Sequence, residues 1–200
     1  MTQVPVTVYV EMTPNPSTMK FVANKYLLMT GDSVEFTEKA DAKGYSPLAE
    51  ELFNFPFVKG VFMAANFVTI SKNDSISWDF VAMELREFIK NWIAEGKDVL
   101  IQMPAPKAKV TNEETKEVKT YAPSEYDDAI RSLLDEYVRP AVEGDGGAID
   151  FVGFEEGIVT VALRGACSGC PSSTATLKGG IENLLKQHLP EVKEVVAESL

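Results

Sequence analysis

The sequence is poor in the residues that most often bind metals or form disulfides. Its 200 residues include only two cysteines and one histidine. With too few cysteines for a disulfide framework, nothing indicates an oxidising compartment, and we expect a cytoplasmic protein. The first residues carry no basic leader followed by an apolar stretch, so no signal peptide is predicted.

Two further absences exclude classes of partner. No apolar run is long enough to span a membrane. The formal net charge is -11, whereas a nucleic-acid-binding surface needs a basic face to displace counterions from phosphates. We therefore expect neither a membrane nor a nucleic acid as a partner.

The composition is that of a globular protein, and its distribution along the chain predicts three segments. It is 45% hydrophobic and 24% charged, and its length suffices for one or two modest cores. Residues 101–123 combine prolines with alternating lysine and glutamate and have no sustained periodicity, which predicts a linker. We predict an α+β protein of two small α/β domains, 1–100 and 124–200, joined by a linker at 101–123.

The N-terminal domain shows strand and helix patterns but no group of catalytic residues. A helix is expected after a cap at Ser77, with an apolar stripe from Trp78 to Trp92. The domain has no cysteine or histidine, so metal chemistry there would depend on carboxylates alone. The remaining predicted elements are strands at Val6–Val10, Phe21–Met29, Val58–Met63 and Phe67–Ser71 and a short helix at Ser46–Phe53.

The C-terminal domain is predicted to be a small sheet covered on one side by two helices. The first helix follows a cap at Ser124 and ends at Gly144, and the second begins at Pro171 and ends before Pro190. Because interior helix glycines cost about 1 kcal/mol each, we expect something to approach Gly179 and Gly180 closely, in the first place the sheet, with the protomer interface as the alternative. The strands are expected at Ala148–Phe154, Ile158–Leu163 and Val192–Ala197.

Both cysteines, Cys167 and Cys170, lie in the segment RGACSGCPSS between the second strand and the second helix of this domain. Gly165 and Gly169 allow backbone N–H groups to approach the sulfurs, and the following helix points its positive end at the loop. Both effects favour the thiolate, which is the metal-binding form. The spacing alone also fits a dithiol oxidoreductase, although the position late in a hairpin-helix unit is not thioredoxin-like.

One chain cannot complete a four-ligand metal site from these residues. His188 would lie roughly 25 Å from the loop at the far end of the helix, where we expect it to be half-buried. Two chains related by a two-fold axis would together supply four thiolates. Four thiolates accept zinc as well as an iron–sulfur cluster, so an interaction protein whose dimer is tied by zinc stays open.

Longer segments around the cysteines resemble a known family. The stretch from GDGG at Gly144–Gly147 through LRGACSGCP to TLKGGIE closely resembles the NifU C-terminal domain of the Nfu-type iron–sulfur cluster carriers. TPNPSTMKF and PFVKGVF in the first domain resemble the Nfu N-terminal domain.

That resemblance implies a function. It implies a non-enzymatic scaffold or carrier that holds a [4Fe-4S] cluster between two protomers through Cys167 and Cys170. The expected partners are apo iron–sulfur client proteins, upstream assembly proteins and, when a cluster is bound, a second copy of the chain. For Gly144, Gly146 and Gly147 we favour a structural role at the helix end over contact with the cluster.

Overall fold

The computed structural model describes residues 5–29, 31–104, 121–168 and 171–199. Most of the predicted linker, residues 105–120, therefore lies outside the described residues. The predicted α+β class is confirmed, since the described residues contain two separate sheets, each packed with helices.

The first sheet is antiparallel throughout and has the strand order β1-β2-β5-β4-β3. Its strands are β1 (Val8–Met12), β2 (Thr18–Ala23), β3 (Ser33–Phe36), β4 (Val58–Ala64) and β5 (Phe67–Lys72). The helices of this half are α1 (Lys39–Ala42), α2 (Pro47–Leu52) and α3 (Trp78–Ala94).

The two helices predicted here are confirmed, together with the predicted cap at Ser77, and Ser46 is a cap that was not predicted. Ser46 accepts a hydrogen bond from the backbone N–H of Ala49, and Ser77 accepts one from that of Asp79. The strand predicted over Phe21–Met29 is too long, because β2 ends at Ala23. Beyond it, the N–H groups of residues 27 and 28 both donate to the carbonyl of Ala65. β3 and α1 were not predicted, because both elements are too short for a periodic pattern.

Both faces of the central strands of this sheet, β2, β5 and β4, are buried. On one face, alternate residues such as Val61 and Ile70 join the main core, to which α3 contributes Leu85 and Ile89. On the opposite face, four side chains of β2, β4 and β5 form a second apolar cluster with one residue of the C-terminal domain. These residues are Val22, Phe62, Ala64, Phe67 and Ala148. Antiparallel sheets commonly leave one face to solvent, whereas here the C-terminal domain covers it.

The second sheet has the order β6-β7-β8, with the first pair antiparallel and the second parallel. Its strands are β6 (Gly147–Glu155), β7 (Ile158–Gly165) and β8 (Glu194–Ser199). The helical segments are α4 (Asp127–Leu133), a π-helical turn (Leu134–Val138), α5 (Arg139–Gly144) and α6 (Pro171–His188). The run from α4 to α5 and the helix α6 both contribute to the core of this domain, which confirms a small sheet covered by two helices.

The π-helical turn in the first of these helices was not predicted. Pro140 is at the start of α5, and a proline cannot donate the backbone hydrogen bond that would continue the α-helical ladder. A single wider turn accommodates that missing donor. Ser124, the predicted cap, accepts the N–H of Tyr126 just before α4 begins at Asp127.

Candidate functional site

The first cysteine lies in the connection between β7 and α6. Gly165 ends β7 with a positive φ of 67°, and the hydroxyl of Ser168 donates back to its carbonyl at 2.9 Å. On the far side, Thr174 of α6 donates to the carbonyl of Cys167 at 3.2 Å. Gly169 and Cys170 lie outside the described residues.

Cys167 faces into the C-terminal core. Its side chain is 6% exposed and packs in the apolar cluster of that domain. Burial raises the pKa of the Cys167 thiol to about 11, and the carboxylate of Asp145 contributes in the same direction. The thiol therefore keeps its proton at neutral pH, so the expectation that the loop favours the thiolate is wrong for Cys167 in this conformation.

The physical reason is the direction of the loop's N–H groups. The loop's N–H groups were expected to approach the sulfur, but the N–H of Gly165 donates to the Glu35 carboxylate at 3.3 Å. The N–H of Ala166 donates to the carbonyl of Gly146 at 3.2 Å. These two donors are committed to other acceptors, so burial dominates the pKa of Cys167.

The glycines of the GDGG segment have the predicted structural roles, with one addition. Gly144 ends α5, and Gly146 turns the chain with a positive φ of 83°. Gly147 is packed against the cysteine, since a Cβ there would lie 2.8 Å from the Cys167 sulfur and 2.6 Å from the carbonyl oxygen of Arg164. The absence of a side chain at position 147 thus makes room for the inward-facing thiol.

The N-terminal domain contacts the backbone on both sides of this thiol. Thr69 Oγ1 donates to the carbonyl of Gly146 at 2.8 Å, and Asn15 Nδ2 donates to the carbonyl of Ala166 at 3.3 Å. Lys20 Nζ donates to the carbonyl of Gly144 at 3.1 Å. All three donors are buried residues of the N-terminal domain, so the loop carbonyls are held by groups that solvent hardly reaches.

A half-buried carboxylate lies in the same contact region. Glu35 accepts the N–H of Gly165, and burial raises the pKa of the Glu35 carboxyl even though this hydrogen bond and the neighbouring Arg164 lower it. Arg164 also pairs with Asp150 and donates to the carbonyl of Ser33 at 3.4 Å. The end of β7 is thus joined to the first sheet by charged and backbone groups.

Two other predictions about this domain are wrong. His188 is exposed and stacks on the Tyr137 ring at 6.1 Å between centroids, so it is not half-buried. A Cβ at Gly179 or Gly180 would meet nothing within 4 Å. Packing of the sheet against these glycines is therefore wrong for the part of the chain that the structure describes, and the alternative, contact with a second protomer, stays a prediction.

The described residues contain neither a cluster of metal ligands nor a membrane-spanning helix. In the four described ranges, no group of three or more histidine, cysteine, aspartate or glutamate side chains is placed to hold a metal ion. None of the helices resolved there is both long and apolar enough to cross a membrane.

Comparisons with known proteins match both domains to one family. Residues 130–196 match the NifU-like domain, and residues 8–96 match the family described as scaffold protein Nfu/NifU N terminal. The human NFU1 iron-sulfur cluster scaffold homolog, mitochondrial, is 38% identical over 184 residues, which cover 92% of this chain and 68% of that protein. The chain belongs to the Nfu family of NifU-like proteins.

Two further comparisons give the extent of the similarity. NifU-like protein 4, mitochondrial, of Arabidopsis thaliana is 39% identical to this Nfu-family chain over 190 residues, and the chain spans 64% of its length. A solution NMR structure of a NifU-like protein from Saccharomyces cerevisiae covers 51% of this chain and 90% of its own, with 24% identity and a TM-score of 0.45. That structural similarity is too low to support an inference.

The expectation of a cytoplasmic protein is wrong. The Arabidopsis and human relatives of this Nfu-family chain are both named mitochondrial proteins. A shortage of cysteine excludes a disulfide-based fold, but it does not distinguish one reducing compartment from another.

Sequence reasoning found the cysteine but missed the residues that hold its loop in this Nfu-family protein. Asn15 and Lys20 belong to the TPNPSTMKF segment, which was noted only as a carrier of the resemblance. Glu35 lies in β3, which was not predicted. Thr69 is a polar residue between apolar ones in β5, a pattern that normally indicates a solvent-facing side chain. The burial of every residue of β2, including Lys20, is the feature that marks the second buried face.

Proposed function

We propose that this chain is an iron–sulfur cluster carrier that binds a [4Fe-4S] cluster between two protomers and delivers it to apo-proteins. Cys167 and Cys170 of each protomer are the ligands, and the loaded form is a homodimer. The protein is a binding protein with no catalytic turnover of its own, and upstream assembly proteins supply its cluster. In this proposal residues 1–100 and 124–200 are the two domains and 101–123 the linker.

The observation that carries the proposal is the thiol count in the loop of a NifU-like domain. The sequence has two cysteines, both in the segment after β7, and a [4Fe-4S] cluster is normally held by four cysteine thiolates. Two chains supply that number. The human relative is named an iron–sulfur cluster scaffold homolog, which supports a cluster as the cargo.

The alternative function is a dithiol-disulfide oxidoreductase. In a thioredoxin-like domain the paired cysteines would follow the first strand, whereas here the loop lies between β7 and α6 of a NifU-like domain. The human relative is named an iron–sulfur cluster scaffold homolog. We therefore favour cluster binding.

Anaerobic reconstitution with iron and sulfide tests the ligand assignment. We expect the unaltered protein to take up about two iron atoms per chain, as one [4Fe-4S] cluster shared by two chains requires, with the broad visible absorption of a cluster. Cys167→Ser and Cys170→Ser should each abolish that absorption. His188→Gln is the matched control, since it removes the one histidine and should leave cluster uptake unchanged.

Three results would contradict the proposal. Cluster uptake by either serine variant at the level of the unaltered protein would exclude the corresponding cysteine as a ligand. A colourless protein that retains zinc would favour the zinc-tied dimer. Turnover of a disulfide substrate that depends on both cysteines would favour the oxidoreductase.

A further inference from the structure

The second face of the N-terminal sheet covers the segments that position Cys167. Its apolar part, which includes Phe62 and Phe67, packs against Ala148 at the start of β6. Its polar part consists of Asn15 and Thr69, which bind the carbonyls of residues 166 and 146. These contacts fall on the residue directly before Cys167 and on the turn that lies against it.

The conformation held by these contacts is incompatible with a ligand shared between chains. Cys167 is 6% exposed and packs with its own domain's core. A thiolate that bridges to a cluster at a two-fold axis has to point away from that core, towards the second chain. The sulfur must therefore leave its place beside Gly147, and the contacts made by residues 165 and 166 restrict any movement of the backbone that goes with it.

That movement would break the contacts with the N-terminal domain. Ala166 is joined to Asn15 through its carbonyl, and Gly165 is joined to Glu35 through its N–H. Gly165 is also tightly packed, since a Cβ there would lie 2.9 Å from Phe62 and 2.7 Å from the carbonyl oxygen of Gly146. A turn of the backbone at residues 165–167 is therefore opposed by both hydrogen bonds and by the close packing around Gly165.

We propose that the second face of the N-terminal sheet is a clamp that holds the cysteine loop with Cys167 turned inward, and that the clamp must part from the loop before Cys167 can act as a ligand. The proposal rests on the proposed function in one respect, namely that Cys167 is a cluster ligand. By linkage, docking of the clamp and binding of a cluster oppose each other. Delivery of the cluster would allow the clamp to close again.

Alkylation of Cys167 tests the clamp without any cluster. The full chain is prepared as the reduced apo-protein with Cys170→Ser, so that Cys167 is the only thiol, and its reaction with iodoacetamide is followed by intact mass. Because a buried thiol reacts only when the structure opens locally, the rate reports the open fraction. Asn15→Ala removes the hydrogen bond to Ala166 in the loop, and Thr69→Val removes the one to Gly146 in the turn that lies against Cys167.

We expect each of these substitutions to increase the alkylation rate by about twofold to tenfold, which corresponds to the net contribution of one hydrogen bond. Ala64→Arg places a charge in the apolar contact with Ala148 and should increase the rate further. Asn66→Ala and Thr37→Val are the matched controls, because these side chains donate to Ala23 and Asp41, both within the N-terminal domain. Both controls should react at the rate of the Cys170→Ser parent.

The clamp is refuted if Thr69→Val and Asn15→Ala react at the rate of the controls. It is also refuted if the parent reacts as fast as a small free thiol, since Cys167 would then not be held inward. Ala64→Arg is interpreted only if its circular dichroism matches the parent, and the two milder variants decide the question if it does not. A raised alkylation rate in a protein that never takes up a cluster would support the clamp and contradict the proposed function.

Discussion

Replacement of Gly147 by alanine tests the packing around the cysteine. A Cβ at this position would lie 2.6 Å from the carbonyl oxygen of Arg164, 2.8 Å from the Cys167 sulfur and 3.2 Å from the Cys167 Cβ. The Arg164 carbonyl belongs to β7, which pairs with β6 at this point. The backbone can move away only by disturbing the strand pair, and the thiol can move away only by leaving the core.

The expected cost follows from this overlap. Forcing one extra carbon into a well-packed interior typically destabilises a protein by about 1 to 3 kcal/mol. Two of the overlapping atoms are backbone or Cβ atoms with little freedom to move. We therefore expect Gly147→Ala to lower the free energy of unfolding by about 2 kcal/mol. For a chain of this size, this corresponds to a fall in Tm of roughly 4 to 8 °C.

Urea unfolding followed by circular dichroism measures this loss, with Gly144→Ala as the matched control. A Cβ at Gly144 would meet nothing within 4 Å, and Gly144 is in the last turn of α5. Alanine there should therefore leave stability unchanged or raise it by up to about 1 kcal/mol. If the two variants are equally stable, Cys167 is not packed against residue 147 and the inward position of the thiol is wrong.

Three further predictions concern other parts of the molecule. Gly179→Ala and Gly180→Ala should each raise the free energy of unfolding of the apo-protein by about 0.5 to 1 kcal/mol, because both are exposed helix positions with free space; a loss of stability in urea unfolding would contradict this. Glu35 has a raised pKa, so its contribution to stability is present below its ordinary value of 4.5 and is lost as the pH rises through the raised value. The substitution Glu35→Gln should therefore change the free energy of unfolding in the stabilising direction more at pH 7, where Glu35 is ionised, than at pH 4. An equal change at both pH values in urea unfolding would refute this. Cluster transfer to an apo-enzyme that needs [4Fe-4S] should restore its activity even with a chelator of free iron present, because ligand exchange releases no free iron; complete inhibition by the chelator would mean that the cluster is released and rebuilt.

The elements with long periodic patterns could be predicted from the sequence, and the short or interrupted ones could not. α3 has its apolar stripe and the Ser77 cap, and both follow from local rules. β3 has four residues, and the π-helical turn is a local response to Pro140 within an otherwise regular stripe. Neither feature leaves a periodic signal of its own.

The candidate site divides in the same way. The cysteines and the glycines around them are local in sequence, so the loop could be recognised. The environment of Cys167 could not, because the groups that determine it are far apart along the chain: Asn15 and Ala166 are 151 positions apart, and Thr69 and Gly146 are 77 apart. Without that information, the flanking glycines suggested a thiolate, whereas burial keeps the thiol protonated.

Native mass spectrometry of the anaerobically reconstituted protein tests the shared cluster most directly. We predict a species with the mass of two chains and one [4Fe-4S] cluster. This species should be absent from the spectrum of the apo-protein before reconstitution. The Cys167→Ser protein should give no cluster-bound dimer under the same conditions. A single chain that carries a whole [4Fe-4S] cluster would contradict the account, because one chain has only two thiolates to offer.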